Sequence, residues 1–337
     1  MRATSQTVRD LPVLAVAVVW GSSFLVLKQV AGQDTVLGTL VLRFGLVVPL
    51  LAVFAWRSLR RLTRREWLGG ASLGVILGAI FLLETYGAVH TSATNAGLIV
   101  SLTMVFTPLA ESAVRRTALP RVFLGAAGLS VLGVALLTGG GFRTPNVGDL
   151  LMLGSALIRT VHVLAMSRTK SIKGTDALAL TWIQLSTAGL IFLLVSPLAG
   201  ASPLAVAESF GPRQWAGLLY LSVLCTVFAF LVQMWAVRAT SPSRVSLLLG
   251  TEPLWAALFG TVVGGDRLSA LALSGGVLVL VGTEWGRRAV NSGALEPASA
   301  PEPASAPGSA AEPAAPAGQS VREPVREPVE AGVDVPA

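Results

Sequence analysis

Two stretches of this sequence align with each other without a gap, and this internal repeat restricts the fold more than any other feature. Residues 81–133 align with residues 230–282 at a constant offset of 149 positions. Eleven of the 53 aligned positions are identical, and others are conservative, such as Phe106 opposite Trp255. The repeat predicts two halves that share one fold.

Each half contains five apolar segments of about 20 residues, the length that crosses a bilayer as a helix. The 337 residues are 53% hydrophobic with a mean hydropathy of +0.70, which is too apolar for a soluble domain. Because five is an odd number, the second half must enter the membrane in the opposite orientation. We therefore predict an all-α polytopic membrane protein with ten transmembrane helices as two inverted five-helix repeats, an architecture typical of secondary transporters. The predicted spans are 11–30, 36–56, 67–86, 91–112, 121–140, 149–167, 177–197, 215–237, 242–262 and 268–286.

The chain divides into four predicted segments, which are a cytoplasmic N-terminus (1–10), a first repeat (11–140), a second repeat (146–287) and a tail (291–337). No clear small-residue cleavage site follows the first apolar run, so we expect a retained helix rather than a signal peptide. The tail is rich in Ala, Pro, Glu and Ser. Because it lacks apolar groups that would offset its ordering entropy, we expect a disordered cytoplasmic tail.

The positive charges are distributed as membrane topology requires. With both termini inside, seventeen of the 25 Lys and Arg residues fall on the inner face and three on the outer face. This bias follows the positive-inside rule. It explains the isoelectric point near 10.6 without nucleic-acid binding. The abundance of Arg and the scarcity of Lys favour a bacterial source, and therefore the inner (cytoplasmic) membrane.

Ionisable side chains at membrane depth are costly and are therefore candidates for substrate or ion binding. Four of them lie deep within predicted spans, namely Arg43, Arg159, His162 and Glu252. Four others lie within a turn or two of an interface, where we expect structural roles, namely Lys28, Glu84, Glu111 and Glu284.

Three of the deep residues form a pattern that predicts a polar cavity. Arg159 and His162 are three residues apart and share one helix face. Glu252 precedes Pro253, which removes a backbone hydrogen bond in the ninth span. Together these groups would bind a charged solute and titrate near neutral pH. Two alternatives remain open: a static pair of Glu252 with Arg159 or Arg43, and an interior histidine whose hydrogen bonds are merely satisfied.

Neutral and aromatic residues complete the candidate site. Gln184 adds a polar group, and Trp20, Trp182 and Trp255 are candidates for aromatic walls, although each would serve equally well in packing. The sequence contains no metal-binding, phosphate-binding or nucleophile motif, so we predict no cofactor, no metal and no enzyme. The single cysteine, Cys225, excludes an intramolecular disulfide.

Several short motifs carry a resemblance to a known family. They are Trp20-Gly21-Ser22-Ser23-Phe24, Leu42-Arg43-Phe44, His90-Thr91-Ser92-Ala93-Thr94-Asn95-Ala96, Thr251-Glu252-Pro253-Leu254-Trp255 and Gly265-Asp266-Arg267-Leu268. In this order they resemble the ten-helix EamA group of the drug/metabolite transporter superfamily, over about residues 10–287. The resemblance implies a central cavity lined by spans one to four and six to nine, with spans five and ten at the periphery.

The sequence departs from the EamA pattern at two places. The register of the first repeat places Met104 where the family usually has proline, and Pro108 follows four residues later, so we expect the kink to move by one turn. Arg159 stands where the family usually has an aromatic or small residue. This second departure indicates a different substrate charge from that of the commonest members.

These observations favour a secondary transporter, with export in exchange for protons as the preferred mode. The predicted partners are a small polar metabolite or drug, the lipid bilayer and protons as coupling ion, without nucleic acid and in an undetermined oligomeric state. One alternative is a polytopic enzyme acting on a lipid-linked substrate, with Glu84 or Glu111 as remnants of an interface cluster. Another is a membrane scaffold or sensor that acts through the tail.

Overall fold

The computed structural model describes residues 2–116, 121–137, 146–239, 249, 251–267 and 269–293, and their regular structure is entirely helical. The predicted tail lies outside these residues, apart from the last turn of the final helix. The α-helices are α1 (Arg2–Val30), α2 (Val36–Leu59), α3 (Arg64–His90), α4 (Ala93–Val100), α5 (Thr103–Arg115), α6 (Arg121–Leu137), α7 (Val147–Arg168), α8 (Ala177–Val195), α9 (Pro203–Ser209), α10 (Pro212–Leu219), α11 (Ala229–Ala239), α12 (Glu252–Val262) and α13 (Ala270–Gly293). A π-helical segment, Tyr220–Phe228, joins α10 to α11.

The helices confirm the predicted all-α membrane fold. Seven helical segments in the described part of the chain are long and apolar enough to cross a bilayer. Two shorter apolar helices, Arg121–Gly133 and Ala270–Gly286, correspond to predicted spans five and ten. The described part of span nine is α12. The spans accordingly follow one another as the hydropathy pattern predicts.

Helix packing has the approximate two-fold symmetry that a repeat requires. Span three of the first half (α3) packs against α7 and α8, which are spans six and seven of the second half. Span eight of the second half packs against α1 and α2, which are spans one and two of the first half, so the arrangement is the same after a shift of five spans. Three contacts join equivalent spans directly, and they are α2 with α8, α4 with α12 and α6 with α13. The core of the molecule therefore forms between the halves.

Small residues allow the close approach of α3 and α8. A methyl group added at Gly70 would meet Ile183, and one added at Gly74 would meet Thr187 and the backbone of Gln184. Because small residues let helix backbones touch in lipid, this ladder of glycines holds the two halves together.

Span four is broken, but not at the proline. The break lies at Ser101 and Leu102, between α4 and α5, whereas Pro108 lies within α5. The Ser101 hydroxyl donates to the carbonyl of Leu98 (2.6 Å), and the Thr103 hydroxyl donates to that of Val100 (2.8 Å). Such bonds compete with the helical backbone pattern and move the interruption upstream of the proline.

The helix that follows the break, α5, begins at the repeat position where α12 begins in the second half. The second part of span four begins at Thr103, and α12 begins at Glu252. These two residues are paired by the 149-residue offset of the repeat. Each half thus starts a helix at the same register position, with a hydroxyl residue in one half and a carboxylate in the other.

Replacing Gly21 by alanine is expected to lower the unfolding temperature of the protein. The added methyl carbon would lie 2.5 Å from Cβ of Trp255 and 2.8 Å from the backbone nitrogen of Ala256, so α1 and α12 would have to separate. Such overpacking costs about 1–3 kcal/mol. Gly128 is the matched control, because nothing lies within 4 Å of a methyl group added there. Thermal unfolding of both variants is the measurement. Equal unfolding temperatures for Gly21→Ala and Gly128→Ala would contradict the close α1–α12 contact.

Candidate functional site

A cavity of about 280 Å³ lies between the two halves. Spans one, two, three, six, eight and nine supply its walls among the described residues, and spans five and ten supply none. Spans four and seven, which the resemblance predicted as walls, supply none of these residues either. Five of the residues predicted from the sequence line the cavity, namely Trp20, Arg43, Arg159, His162 and Glu252. Apolar side chains such as Phe24, Ile80 and Leu221 make up most of the remaining wall.

Arg159 forms an ion pair with Glu84, a residue that the sequence placed near an interface with a structural role. Arg159 Nη2 donates to Glu84 Oε1, and the Ser155 hydroxyl donates to the same oxygen (3.0 Å). The predicted span ended near residue 86, whereas α3 continues to His90, so Glu84 lies further from the end of its helix than the sequence indicated. Glu84 lies almost two turns before the C-terminal end of α3, and its side chain lines the cavity.

This position of Glu84 bears on the enzyme alternative as well. That alternative used Glu84 as part of a catalytic cluster at a membrane interface. In the structure Glu84 is 9% exposed, and its carboxylate is engaged by Arg159 and Ser155. It therefore provides no support for an interface cluster.

Glu252 faces the cavity without a bonded partner. Among the described residues, no hydrogen bond or ion pair reaches its carboxylate. Arg159 acts on it electrostatically, but bonds to Glu84 instead. The static Glu252–Arg159 and Glu252–Arg43 pairs considered for the sequence are thus absent from this part of the chain.

Arg43 is buried at the cavity with much of its hydrogen-bonding capacity unused. Its Nη2 donates to the Thr226 hydroxyl (3.0 Å), and its guanidinium carbon lies 5.1 Å from the centre of the Phe81 ring. Its Nε is buried and has no hydrogen-bond partner among the described residues. Because a buried unpartnered donor is costly, an anionic ligand group would be favoured beside Arg43.

His162 and Gln184, predicted separately, are hydrogen-bonded to each other. His162 Nε2 lies 2.7 Å from Gln184 Oε1, so the imidazole donates to the amide oxygen. Gln184 is buried on α8 behind the cavity wall, whereas His162 lines the cavity. The amide therefore orients the ring and leaves the other imidazole nitrogen available.

The π-helical segment supplies two acceptors to the site. Trp20 Nε1 donates to the carbonyl of Cys225 (2.8 Å), and the Trp20 ring packs edge-on against Phe230 at 6.3 Å. Thr226, which accepts from Arg43, lies in the same segment and donates to the carbonyl of Leu221 (3.0 Å). Wider turns of this kind free backbone groups and occur often at functional sites. No pattern in the sequence indicated this segment.

Two of the predicted aromatic walls lie elsewhere. Trp182 donates to the carbonyl of Val48 (2.8 Å) and packs edge-on against Trp67. Trp255 packs with Val13, Val16 and other core residues between α1 and α12, and it does not line the cavity. Since Trp255 lies one turn beyond Glu252 on α12, its ring fixes the helix that carries the carboxylate.

A cavity between two repeat-related helix bundles, with ionisable groups on its walls, is the arrangement typical of secondary membrane transporters. The sequence model of the EamA-like transporter family matches residues 9–139 and again residues 146–284. The chain therefore belongs to the EamA-like transporter family, a family of membrane transporters, as its motifs predicted.

Individual relatives agree with this assignment. An uncharacterized transporter of Archaeoglobus fulgidus is 30% identical over 274 residues, which cover 78% of this chain and 92% of the relative. The uncharacterized inner membrane transporter YedA of Escherichia coli K12 is 25% identical over 273 residues, 79% of this chain and 86% of YedA. A solved crystal structure matches with a TM-score of 0.55 at 18% identity, covering 83% of this chain and 96% of that chain, which shows the fold alone.

Proposed function

We propose that this protein is a secondary active transporter for a small polar metabolite or drug with an anionic or zwitterionic group. One observation carries the proposal: the cavity presents a guanidinium, Arg43, and a carboxylate, Glu252, neither of which has a charged bonding partner among the described residues. A ligand anion would bind Arg43 and the unpaired Nε of Arg159, and a ligand cation would bind Glu252.

Alternating access would follow from the two-fold arrangement of the halves. In this proposal, residues 11–140 and 146–287 rock against each other and expose the cavity to each side of the membrane in turn. Trp20 and Phe230 would close the apolar side of the bound ligand. The ion pair of Arg159 with Glu84 joins the two halves across the cavity, so its geometry would change during the movement.

Export coupled to proton entry is the preferred mode of this transport. Glu252 would alternate between binding a proton and binding the substrate, since its carboxylate has no competing hydrogen bond in the described residues. The inner membrane with both termini in the cytoplasm is the proposed location. The distribution of Lys and Arg supports this orientation.

A ligand screen tests the substrate class. Purified protein would be heated with amino acids, nucleosides, sugars and cationic drugs, because a bound ligand raises the unfolding temperature. We expect the stabilising compounds to carry an anionic group and to lose most of their effect on Arg43→Gln. Stabilisation by cationic drugs alone, with the same effect on Arg43→Gln, would contradict the proposed class.

Flux measurements test the coupling. Proteoliposomes loaded with a compound from the screen are expected to release it faster when an inward proton gradient is imposed. Collapse of the gradient with an ionophore should return the flux to its basal rate. A flux that does not respond to the gradient in either direction would remove proton coupling and leave facilitated transport.

A further inference from the structure

One face of α2 changes from apolar to basic toward the corner between α2 and α3. Leu46, Leu50 and Val53 follow at spacings of four and three residues, so they lie on one helix face, and all three are exposed. Arg57 and Arg60 continue the same face beyond the last apolar residue and are also exposed. The face therefore presents apolar side chains first and basic side chains at its C-terminal end. An acyl chain and the phosphate of a phospholipid follow one another in the same order.

An aromatic ring fixes one of these arginines at the end of the apolar face. The guanidinium carbon of Arg60 lies 4.3 Å from the centre of the Trp56 ring. The Trp56 side chain is 54% exposed, and tryptophan prefers the headgroup level of a membrane. The guanidinium lies over the ring, and no hydrogen bond or ion pair to a described residue occupies its N–H donors, so they remain available to an oxyanion.

The corner carries a strong positive charge, and no ion pair between described residues involves its basic side chains. Among the described residues, Glu66 is held by the Thr63 backbone, the Thr63 hydroxyl and the Thr175 hydroxyl. Its bond to Thr175 also brings the loop after α7 next to the corner. The exposed basic residues of the two loops are Arg57, Arg60, Arg61, Arg64, Arg65, Arg168, Lys170 and Lys173.

We propose that this corner binds an anionic phospholipid, with the headgroup phosphate on Arg60 and Arg57 and an acyl chain along Leu46, Leu50 and Val53. The positive-inside rule accounts for the number of basic residues, but it requires neither the stacked Arg60 nor the apolar stripe that leads to it. None of these residues lines the cavity. The lipid site is therefore separate from the transported ligand and does not depend on its identity.

Lipid binding can be measured directly on the full chain. The protein would be purified in detergent with equal amounts of phosphatidylglycerol and phosphatidylcholine, and the retained lipids would be counted by native mass spectrometry. We expect phosphatidylglycerol to be retained roughly tenfold over phosphatidylcholine, because both lipids carry a phosphate but only phosphatidylcholine also brings a quaternary ammonium cation next to the arginines. Equal retention of the two lipids by the wild-type protein would overturn the proposal.

Two conservative variants separate a defined site from diffuse surface charge. Arg60→Lys keeps the charge and the topology signal but loses the stacked fork, and Trp56→Leu keeps the apolar surface but loses the ring. Each is expected to lose most of the roughly tenfold selectivity. Arg213→Lys, an exposed arginine at the start of α10, is the matched control and should keep the selectivity. Unchanged selectivity in both corner variants would overturn the proposal.

A third arm distinguishes the lipid from a free anion. Inorganic phosphate added to protein in phosphatidylcholine should leave the unfolding temperature unchanged, whereas phosphatidylglycerol should raise it. Equal stabilisation by inorganic phosphate would show an anion site without a lipid requirement and would also overturn the proposal.

Discussion

Arg159→Ala is expected to abolish transport and to lower the stability of the protein at the same time. The substitution leaves the Glu84 carboxylate buried without its cation. Breaking a fully buried ion pair costs about 3–5 kcal/mol. Because the Arg159 side chain is 37% exposed to the cavity, we expect a loss nearer to about 2 kcal/mol.

A second substitution separates the two effects. Glu84→Gln in the Arg159→Ala background removes the uncompensated charge, so the unfolding temperature should recover most of the loss. Transport should not recover, because the cavity still lacks a guanidinium. Thermal unfolding in detergent and flux in proteoliposomes measure the two properties. A double variant as unstable as Arg159→Ala would show that the ion pair is not the source of the instability.

Glu252→Gln is expected to remove gradient-driven transport while the fold remains intact. No hydrogen bond or ion pair within the described residues holds the Glu252 carboxylate, so the amide should fit without loss of stability. A lost ionic contact with the substrate corresponds to a roughly 10- to 100-fold decrease in flux. The remaining flux should no longer respond to a pH gradient, since the amide does not titrate.

The control for this variant is a carboxylate outside the cavity. Glu284 on α13 accepts from Arg288 Nε (2.5 Å) at the exposed surface of the final helix. Glu284→Gln should alter stability by less than about 1 kcal/mol and leave the flux at its wild-type rate. Equal flux in Glu252→Gln and Glu284→Gln would remove Glu252 from the transport mechanism.

The sequence predicted those cavity residues that are ionisable and lie in the middle of an apolar span. Arg43, Arg159, His162 and Glu252 all line the cavity, because a charged group in the middle of an apolar span has few other places to lie. Trp255 was not identifiable in the same way. A tryptophan is equally stable in a cavity wall or in a packed core, and only the rotation of α12 decides between them.

The partners of the charged groups were not predictable. Glu84 and Arg159 are separated by 75 positions in the chain, and their pairing depends on how α3 and α7 pack. The predicted span three ended about one turn before α3 does, and nothing in the sequence indicated that Glu84 lines the cavity. The π-helical segment was missed for a related reason, since its wider turn depends on tertiary contacts of Trp20 and Arg43 rather than on local propensity.

The sequence by itself determined the class of fold, the repeat and the family, because hydropathy, charge bias and the 149-residue offset are properties of successive residues along the chain. The tertiary structure decided which charges are paired and which remain free. Arg159 bonds to Glu84, whereas the Glu252 carboxylate has no bonded partner among the described residues. The physical reason is that an ion pair depends on distances of a few ångströms between separate helices, and those distances arise only when the helices pack.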